Sequence, residues 1–209
     1  MTKSTQLPSF YNDLALSFEK AWAMLADGAI NRRGAAHVPV VASVDSAGDP
    51  AQRVLILRQA DLATRRLRFH TDLRSTKVTE IAHRTPTSVL IYDAEEKVQL
   101  RICGIASIDA NSAAADLAWE QSTTFARRCY MAEAAPGEVS DAPTSGLPSS
   151  VEGKQPTEED LTGYRQNFAV IWIEVLTVEF LYLANAGHRR TKWQWHTGQE
   201  SWSGNWLIP

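Results

Sequence analysis

Regular alternation of apolar residues between positions 38 and 108 constrains the fold of this chain more than any other feature. Valine or alanine occupies every second position from Val38 to Val44, and turn residues follow at 45–50. Further strands are predicted at 53–58, 67–71, 88–92 and 97–108. One short helix, ended by Thr85-Pro86, interrupts them. Because most of these strands lack crossover helices, the pattern favours a closed or nearly closed, mostly antiparallel β-barrel with flanking helices over a doubly wound sheet.

Helices, a long loop and a second group of strands complete the predicted fold. Apolar residues recur at three- and four-residue steps over 10–27, and strong helix formers are frequent within 109–131. The segment 132–159 is rich in proline, glycine and serine, which predicts a flexible loop, either a linker or a lid over a site. Strands are predicted again at 168–175, 178–183, 188–195 and 201–208. We expect a single domain over 1–209, because the part after the loop is too short for its own core.

Composition disfavours several functional classes. The chain has a net charge of -3 and a pI near 6.0, whereas nucleic-acid binders usually carry a basic excess. No apolar run approaches the ~20 residues that a membrane helix needs, and Met1–Pro8 lacks the apolar core of a secretory signal. We therefore expect a cytoplasmic protein that binds neither nucleic acid nor membranes.

Neither the cysteines nor the histidines show the spacing of a metal site, so no metal is predicted. Cys103 and Cys129 are expected to be buried free thiols. Nucleophile elbows, Walker loops and dinucleotide-binding fingerprints do not occur in the sequence.

Positive charge is concentrated in residues 53–77. This segment holds seven Lys and Arg residues against two Asp, in a chain whose net charge is negative. The order strand, turn, strand, turn, helix start places cations beside a helix N-terminus, an arrangement typical of a phosphate site. A solvated basic rim on a sheet is the alternative. Arg53 and Arg58 are five residues apart, so a regular strand would place their side chains on opposite faces.

A second basic segment covers residues 188–192, close to several tryptophans. On a regular strand Arg190 and Lys192 share one face, and Thr191 and Trp193 share the other. Two basic segments suit one ligand with two anionic groups, or a cofactor and a substrate. A groove for single-stranded nucleic acid is the less favoured interpretation of this basic and aromatic segment.

The order of several short motifs resembles the FMN-binding split barrels of the pyridoxamine 5'-phosphate oxidase superfamily. The motifs are Arg53-x-Leu55-Ile56-Leu57-Arg58, Phe69-x-Thr71, Ser75-x-Lys77 at a helix start, Thr85-Pro86, and Gln99–Gly104. They are more similar to the branch of oxidase-related FMN-binding proteins than to the true oxidases. The resemblance covers 35–108 well and 164–209 loosely, and it implies an FMN-binding split β-barrel.

The resemblance also implies FMN contacts for the matching residues. Arg53 and Lys77 would hold the phosphate, with Ser75 and Thr76 as nearby hydroxyl donors. The remaining implied contacts are the strand residues Val54, Leu55, Ile56 and Arg58 along the ring and ribityl chain, His70 and Thr71 lining the cofactor, Gln99 on the ring, and Lys192 on the flavin. His188 and Arg190 partly match the family's substrate-phosphate motif. Members of the family are homodimers with FMN at the subunit seam, which would relieve the conflict between Arg53 and Arg58.

Three departures from the family pattern bear on function. The strand ends in Arg58 where the family usually has lysine, Thr76 replaces an arginine, and Leu181 replaces a tryptophan of the true oxidases. FMN binding tolerates these changes better than oxidation of pyridoxamine phosphate does. The sequence therefore predicts an FMN-dependent oxidoreductase for an unidentified small substrate, without a nominated catalytic acid or base. A non-catalytic module for flavin or another anionic ligand, and a true pyridoxamine 5'-phosphate oxidase, are the alternatives.

Overall fold

The computed structural model describes residues 7–209. The strands of this part of the chain are β1 (Val40–Val44), β2 (Pro50–Val54), β3 (Leu57–Asp61), β4 (Arg66–Asp72), β5 (Pro86–Asp93), β6 (Val98–Asp109), β7 (Phe168–Tyr182), β8 (Arg189–His196) and β9 (Ser201–Leu207). The helices are α1 (Leu14–Ile30), α2 (Thr76–His83), α3 (Ala113–Glu120) and α4 (Thr124–Arg127). Short 3₁₀ turns lie at Ser9–Asn12, Ala35–His37, Arg128–Met131 and Arg165–Asn167. The prediction about a secretory signal falls almost wholly outside the described residues.

The strands form one antiparallel sheet that confirms the predicted split-barrel architecture. The hydrogen-bonded order is β2-β1-β5-β6-β7-β4-β3, with β8 added to β7 and β9 added to β8. Within residues 7–209, no ladder joins β2 to β3 at the two ends of this order. The split in the sheet therefore lies between β2 and β3, which are consecutive in the sequence. The chain crosses this split at Leu55 and Ile56.

The segment 53–58 is not the single strand that its apolar run predicted. β2 ends at Val54 and β3 begins at Leu57, and the Leu55 N–H leaves the ladder to donate to the Pro39 carbonyl at 3.1 Å. The register of β3 against β4 then shifts between Leu57 and Gln59, so Arg58 lies in a bulge. Arg53 and Arg58 thus belong to different strands, and the parity argument for a continuous strand does not apply to them.

Other boundaries also differ from the predictions, for local reasons. The first helix begins only at Leu14, because Asp13 caps it by accepting the Leu16 N–H at 3.0 Å. The helical segment predicted at 109–131 is broken near Thr123, whose hydroxyl caps α4 by accepting the Ala126 N–H at 3.2 Å. The two strands predicted between 168 and 183 form one continuous strand, β7.

Two hydrophobic clusters surround β7. The larger one lies between the curved sheet and α1, where Trp22 and Leu25 pack against strand residues such as Leu57 and Phe180. The smaller one gathers around Trp119, Tyr130 and Phe168. Burying one large apolar side chain contributes about 1.5–3 kcal/mol, so both clusters hold their elements firmly.

The loop at 132–159 contains no regular helix or strand, but part of it is packed. Val151 is only 2% exposed and belongs to the smaller cluster. The buried Arg127 guanidinium donates to Glu158 at 2.5 Å and lies over the Trp119 ring. The loop is therefore anchored on α3 and α4 by its second half.

Both cysteines are free but exposed, so the prediction of buried thiols is wrong. Cys103 lies on β6 beside the inward-facing Ile102, and strand alternation turns its side chain to the outer face. Cys129 lies in the 3₁₀ turn after α4 and faces a cavity described below. No helix within the described part of the chain is long and apolar enough to cross a membrane.

Candidate functional site

The break between β2 and β3 opens onto a cavity of about 440 Å³. One wall is the strand connection Val54–Ile56 together with Arg58, and His70 of β4 lies beside it. The opposite walls come from α4 with the following turn, and from the end of α1. The residues of these walls are Arg32, His37, Thr123, Phe125, Ala126, Cys129 and Tyr130. The cavity thus combines apolar and aromatic surfaces with several nitrogen-bearing side chains.

The electrostatics of this cavity are positive. Its lining includes no Asp or Glu among the described residues. The Nε atoms of Arg58 and of the neighbouring Arg68, and the Nε2 atom of His70, are buried without a hydrogen-bond partner in residues 7–209. Buried polar atoms are nearly always paired, so these three nitrogens are candidates for hydrogen bonds to a ligand.

Burial, together with the positive charges of Arg58 and Arg68, lowers the pKa of His70 from 6.5 to about 3. Burial and the charge of Arg58 also lower the pKa of Arg68. His70 is therefore a neutral imidazole near pH 7, and an anion beside these arginines would relieve their mutual repulsion.

A second cationic position lies at the start of α2. Arg53 extends from β2 towards this helix, and its Nη2 donates to the Glu80 carboxylate at 2.6 Å. Lys77 is half-buried, and burial followed by the charge of Arg53 lowers its pKa. No ion pair of Lys77 occurs in the described residues. No side chain among the described residues caps the N-terminus of α2, and although the Val78 N–H donates to the Ser75 carbonyl at 2.9 Å, the N–H groups of Thr76 and Lys77 precede it at the helix start.

Two of the predicted hydroxyl contacts are occupied within the chain. The Ser75 hydroxyl donates to the Asp72 carbonyl at 2.7 Å, and the Thr71 hydroxyl lies 3.2 Å from that of Ser75. Both side chains are buried, so they shape the turn before α2. Thr76 is exposed at the helix start and lines a separate surface pocket with Thr79 and Glu80.

The predicted residues of the C-terminal half form another group, away from the cavity lining. Arg190 and Lys192 of β8 point to Glu179 of β7, with N–O distances of 2.7 and 3.7 Å. Arg101 of β6 reaches the same carboxylate at 3.4 Å, and Gln99 lies two residues before it on the same strand face. Burial raises the pKa of Glu179. The hydrogen bond from Arg190 and the charges of Arg101, Arg190 and Lys192 together outweigh burial, so the pKa of Glu179 lies below its ordinary value.

His188 does not belong to either cationic position. It lies in the turn before β8, outside the lining of the cavity. The neighbouring Arg189 stacks on Tyr11 with its Cζ 4.0 Å from the ring centroid and donates to Asn12 at 3.0 Å. This turn is thus fastened to the beginning of the described chain.

Several residues of the site were missed from the sequence. Glu80 and Ser43 engage Arg53, while Arg68, Arg32 and His37 supply further nitrogens in or beside the cavity. Tyr130 also lines the cavity, whereas Arg127 and Arg128 hold the loop through Glu158 and the Lys154 carbonyl. A weak signal was present for Arg68 and His70, because strand alternation places them on one face of β4.

The residues present fit FMN. An uncapped helix start with Lys77 and Arg53 suits a phosphate. The strand connection Val54–Ile56 offers apolar side chains beside a cavity in which Arg58 Nε and His70 Nε2 are buried without a hydrogen-bond partner in residues 7–209. No group of three or more potential metal ligands occurs in residues 7–209.

Comparisons with known proteins agree with this fit. Residues 19–110 match a family model described as pyridoxamine 5'-phosphate oxidase, FMN-binding domain. No curated protein matches the chain.

Two solved structures align over almost the full length. A pyridoxamine 5'-phosphate oxidase-related, FMN binding protein from Nostoc punctiforme PCC 73102 has a TM-score of 0.69 and 21% identity, with 98% of this chain and 100% of that chain covered. PhzG from Burkholderia lata 383, in complex with tetrahydrophenazine-1-carboxylic acid, has a TM-score of 0.71 and 20% identity, with 98% of each chain covered. At these identities the alignments show the fold. Residues 19–110 are therefore similar to the FMN-binding domain of this family, and the predicted resemblance to the split barrels related to pyridoxamine 5'-phosphate oxidase is confirmed.

Proposed function

We propose that this protein binds FMN and uses it to oxidise or reduce a small anionic substrate. The observation that carries the proposal is the pair of cationic positions on either side of the strand break at 55–56. Arg53 and Lys77 lie at the start of α2, and Arg58 lies with His70 in the cavity. FMN has a phosphate at one end and a planar apolar ring at the other, so one molecule matches both features.

The phosphate end is supported by charge and by backbone geometry. Lys77 is half-buried beside Arg53, whose charge lowers the pKa of Lys77, and of the two only Arg53 has an ion-pair partner in the described residues. A phosphate at the uncapped start of α2 accepts N–H groups and neutralises this repulsion. Ser75 and Thr71 hold the preceding turn, and Thr76 is the hydroxyl that faces outward.

The ring end is supported by the shape and polarity of the cavity. Val54 and Ile56 leave apolar surface exposed along one wall, and Phe125 and Tyr130 lie on the other. FMN, when bound, supplies hydride transfer at its ring, while the chain binds and orients it. Arg58 then stabilises an anionic group of the substrate, and the neutral His70 offers a hydrogen bond to the ring or to the substrate. PhzG, which shares this fold, was solved with a carboxylic acid.

A second copy of the chain completes the proposed site. Gln99 and Lys192 do not line the cavity of their own chain. The outer sheet face that carries Gln99 also exposes large apolar side chains, with Leu90 at 42%, Tyr92 at 55% and Ile105 at 40%. An apolar strand face of this kind is typical of a protein interface. A homodimer across this face brings Gln99 and Lys192 of one chain to the flavin of the other.

Titration with FMN and with riboflavin tests the binding proposal. Riboflavin lacks the phosphate, so the ratio of the two dissociation constants isolates the contribution of the phosphate end. Flavin fluorescence quenching is expected to show micromolar or tighter FMN binding and much weaker riboflavin binding. Lys77→Met is expected to weaken FMN binding about ten- to hundredfold, since a charge-assisted hydrogen bond contributes roughly 1.5–3 kcal/mol.

Lys97→Met is the matched control, because Lys97 is an exposed turn residue outside both cationic positions. It is expected to leave both dissociation constants unchanged. A wild-type protein that binds FMN no better than riboflavin would exclude the phosphate site.

Redox activity is tested separately from binding. Anaerobic addition of NADH or NADPH to the FMN complex, followed by oxygen, distinguishes an oxidoreductase from a non-catalytic flavin module by bleaching and recovery of the flavin spectrum. A pyridoxal phosphate assay tests the true oxidase alternative. Arg190 is engaged by Glu179 and His188 lies in a turn outside the cavity, so we expect no pyridoxal phosphate to form.

A further inference from the structure

Glu80 is the ion-pair partner of Arg53 at the proposed phosphate position. Its Oε2 accepts the Ser43 hydroxyl at 2.5 Å and Nη2 of Arg53 at 2.6 Å. Nη1 of Arg53 donates in turn to the Ser43 hydroxyl at 2.5 Å. The three side chains close a small ring of hydrogen bonds, in which the ion pair is largely shielded from solvent at 19% and 12% side-chain exposure.

The ion pair changes the charge that an incoming phosphate meets. Arg53, Lys77 and Glu80 together carry one net positive charge. The nearby Asp72 also acts on Lys77 and raises its pKa, although its carboxylate is paired with Arg74 at 2.7 Å. With threonine at position 76, Lys77 is left as the cation of this cluster without an ion pair in the described residues.

We infer that Glu80 sets the affinity of the phosphate position and keeps FMN dissociable, an inference that rests on the proposed FMN binding. Charges in a partly buried cluster interact more strongly than exposed charges do. A phosphate that approaches Arg53 also approaches the Glu80 carboxylate, so part of the attraction is cancelled by repulsion. The carboxylate also stabilises the empty site by compensating Arg53, which lowers the free-energy gain when a phosphate arrives.

Glu80→Gln tests this role, because glutamine keeps the shape of the side chain and an acceptor for Ser43 and Arg53 but removes the charge. FMN is expected to bind about tenfold more tightly to this variant, given the strength of such charge interactions in a partly screened site. Riboflavin affinity is expected to stay within about twofold, since riboflavin has no phosphate. The ligand-free variant should melt at a lower temperature than wild type, and FMN should raise its melting temperature by more.

Asp49→Asn is the matched control, because it removes the same unit of charge from the exposed turn between β1 and β2. It should leave FMN affinity within about twofold of wild type, as screening predicts for an exposed charge. Equal tightening by Asp49→Asn, equal tightening of riboflavin, or unchanged FMN affinity in Glu80→Gln would each overturn the inference. Those results leave the proposed phosphate position intact as long as wild type prefers FMN to riboflavin.

Discussion

At the scale of single residues, the cavity is distinguished by Arg58 and the neighbouring Arg68, which have no carboxylate partner in residues 7–209. Arg58 and Arg68 both bury Nε without an acceptor in the described part of the chain, and both disfavour protonation of His70. A buried charge without a partner is destabilising. The anionic ligand proposed above would supply such a partner.

His70 makes the stability of the protein depend on pH in a defined direction. Its pKa is about 3 in the folded chain and about 6.5 when unfolded, so the unfolded chain binds more protons between these values. The free energy of unfolding should therefore fall as the pH drops from 6.5 towards 4. His70→Gln should show a shallower fall. Urea unfolding at several pH values measures both slopes.

An exposed histidine provides the control for this pH dependence. His83→Gln changes a histidine at the solvent-facing end of α2 and should keep the slope of wild type. If the slopes of wild type and His70→Gln coincide, the buried neutral state assigned to His70 is wrong.

The sequence singled out cations of the candidate site but did not predict their partners. Arg53, Lys77 and His70 followed from the concentration of charge and from the motif order. Glu80 was not predicted, because its contact with Arg53 depends on how α2 packs across β1, a long-range arrangement that no local pattern encodes. Ser75 was expected to face a ligand, but the competing bond to the Asp72 carbonyl fixes its hydroxyl.

At the scale of elements, two strand irregularities position the site. The alternation of apolar residues in the sequence reveals neither of them. The interruption at Leu55 and Ile56 creates the cavity wall, and the bulge after Leu57 redirects Arg58. Both lie inside an apolar run that predicts a continuous strand. Only the hydrogen bond from Leu55 to Pro39 and the pairing of β3 with β4 determine where the strand breaks.

A second bulge, between Cys103 and Gly104, depends on the absence of a side chain. A Cβ atom on Gly104 would lie 2.2 Å from the Glu174 carbonyl oxygen, which belongs to the facing backbone. Gly104→Ala should therefore force β6 and β7 apart and destabilise the protein by about 2–4 kcal/mol. Gly198→Ala is the control, because a Cβ there meets no atom within 4 Å. Equal urea midpoints for the two variants would contradict this explanation.

The long loop should tolerate change in its first half and resist it in its second half. Val139 is 98% exposed, whereas Val151 is 2% exposed within the smaller cluster. Val151→Ala should cost about 1–3 kcal/mol of unfolding free energy, and Val139→Ala should cost almost nothing. Thermal unfolding of the two variants measures the difference. Similar losses for both would mean that the packing of Val151 does not stabilise the loop.

At the scale of the whole molecule, the mostly antiparallel strands were predictable because strand periodicity and turn residues are local signals, whereas the split of the barrel was implied only by the family resemblance. The assembly of the site was not predictable, since the basic segments 53–77 and 188–192 lie on different parts of the sheet. Arg190 and Lys192 turn to Glu179, and no residue of that group lines the cavity beside Arg58. A single chain therefore presents the predicted flavin contacts in two separate groups, which is what a site shared between two subunits requires.

Leu90→Asp tests that shared site. Leu90 is 42% exposed on the outer face of β5. It pairs with Val40 of β1 on one side and with Arg101 of β6 on the other. A carboxylate there should disrupt an apolar dimer interface and yield monomers in sedimentation equilibrium. FMN affinity should fall at least about tenfold, because Gln99 and Lys192 of the second chain would be lost along with their hydrogen bonds. The fold should persist, since the side chain is outside both hydrophobic clusters.

Val139→Asp separates the loss of the interface from a general effect of added charge. It places the same carboxylate at an exposed loop position and should leave both the dimer and FMN affinity unchanged. A wild-type chain that is monomeric and still binds FMN at micromolar levels would refute the shared site. In that case Arg53, Lys77 and the cavity at 55–56 would have to hold the cofactor within one chain, and the group around Glu179 would serve only to stabilise the sheet.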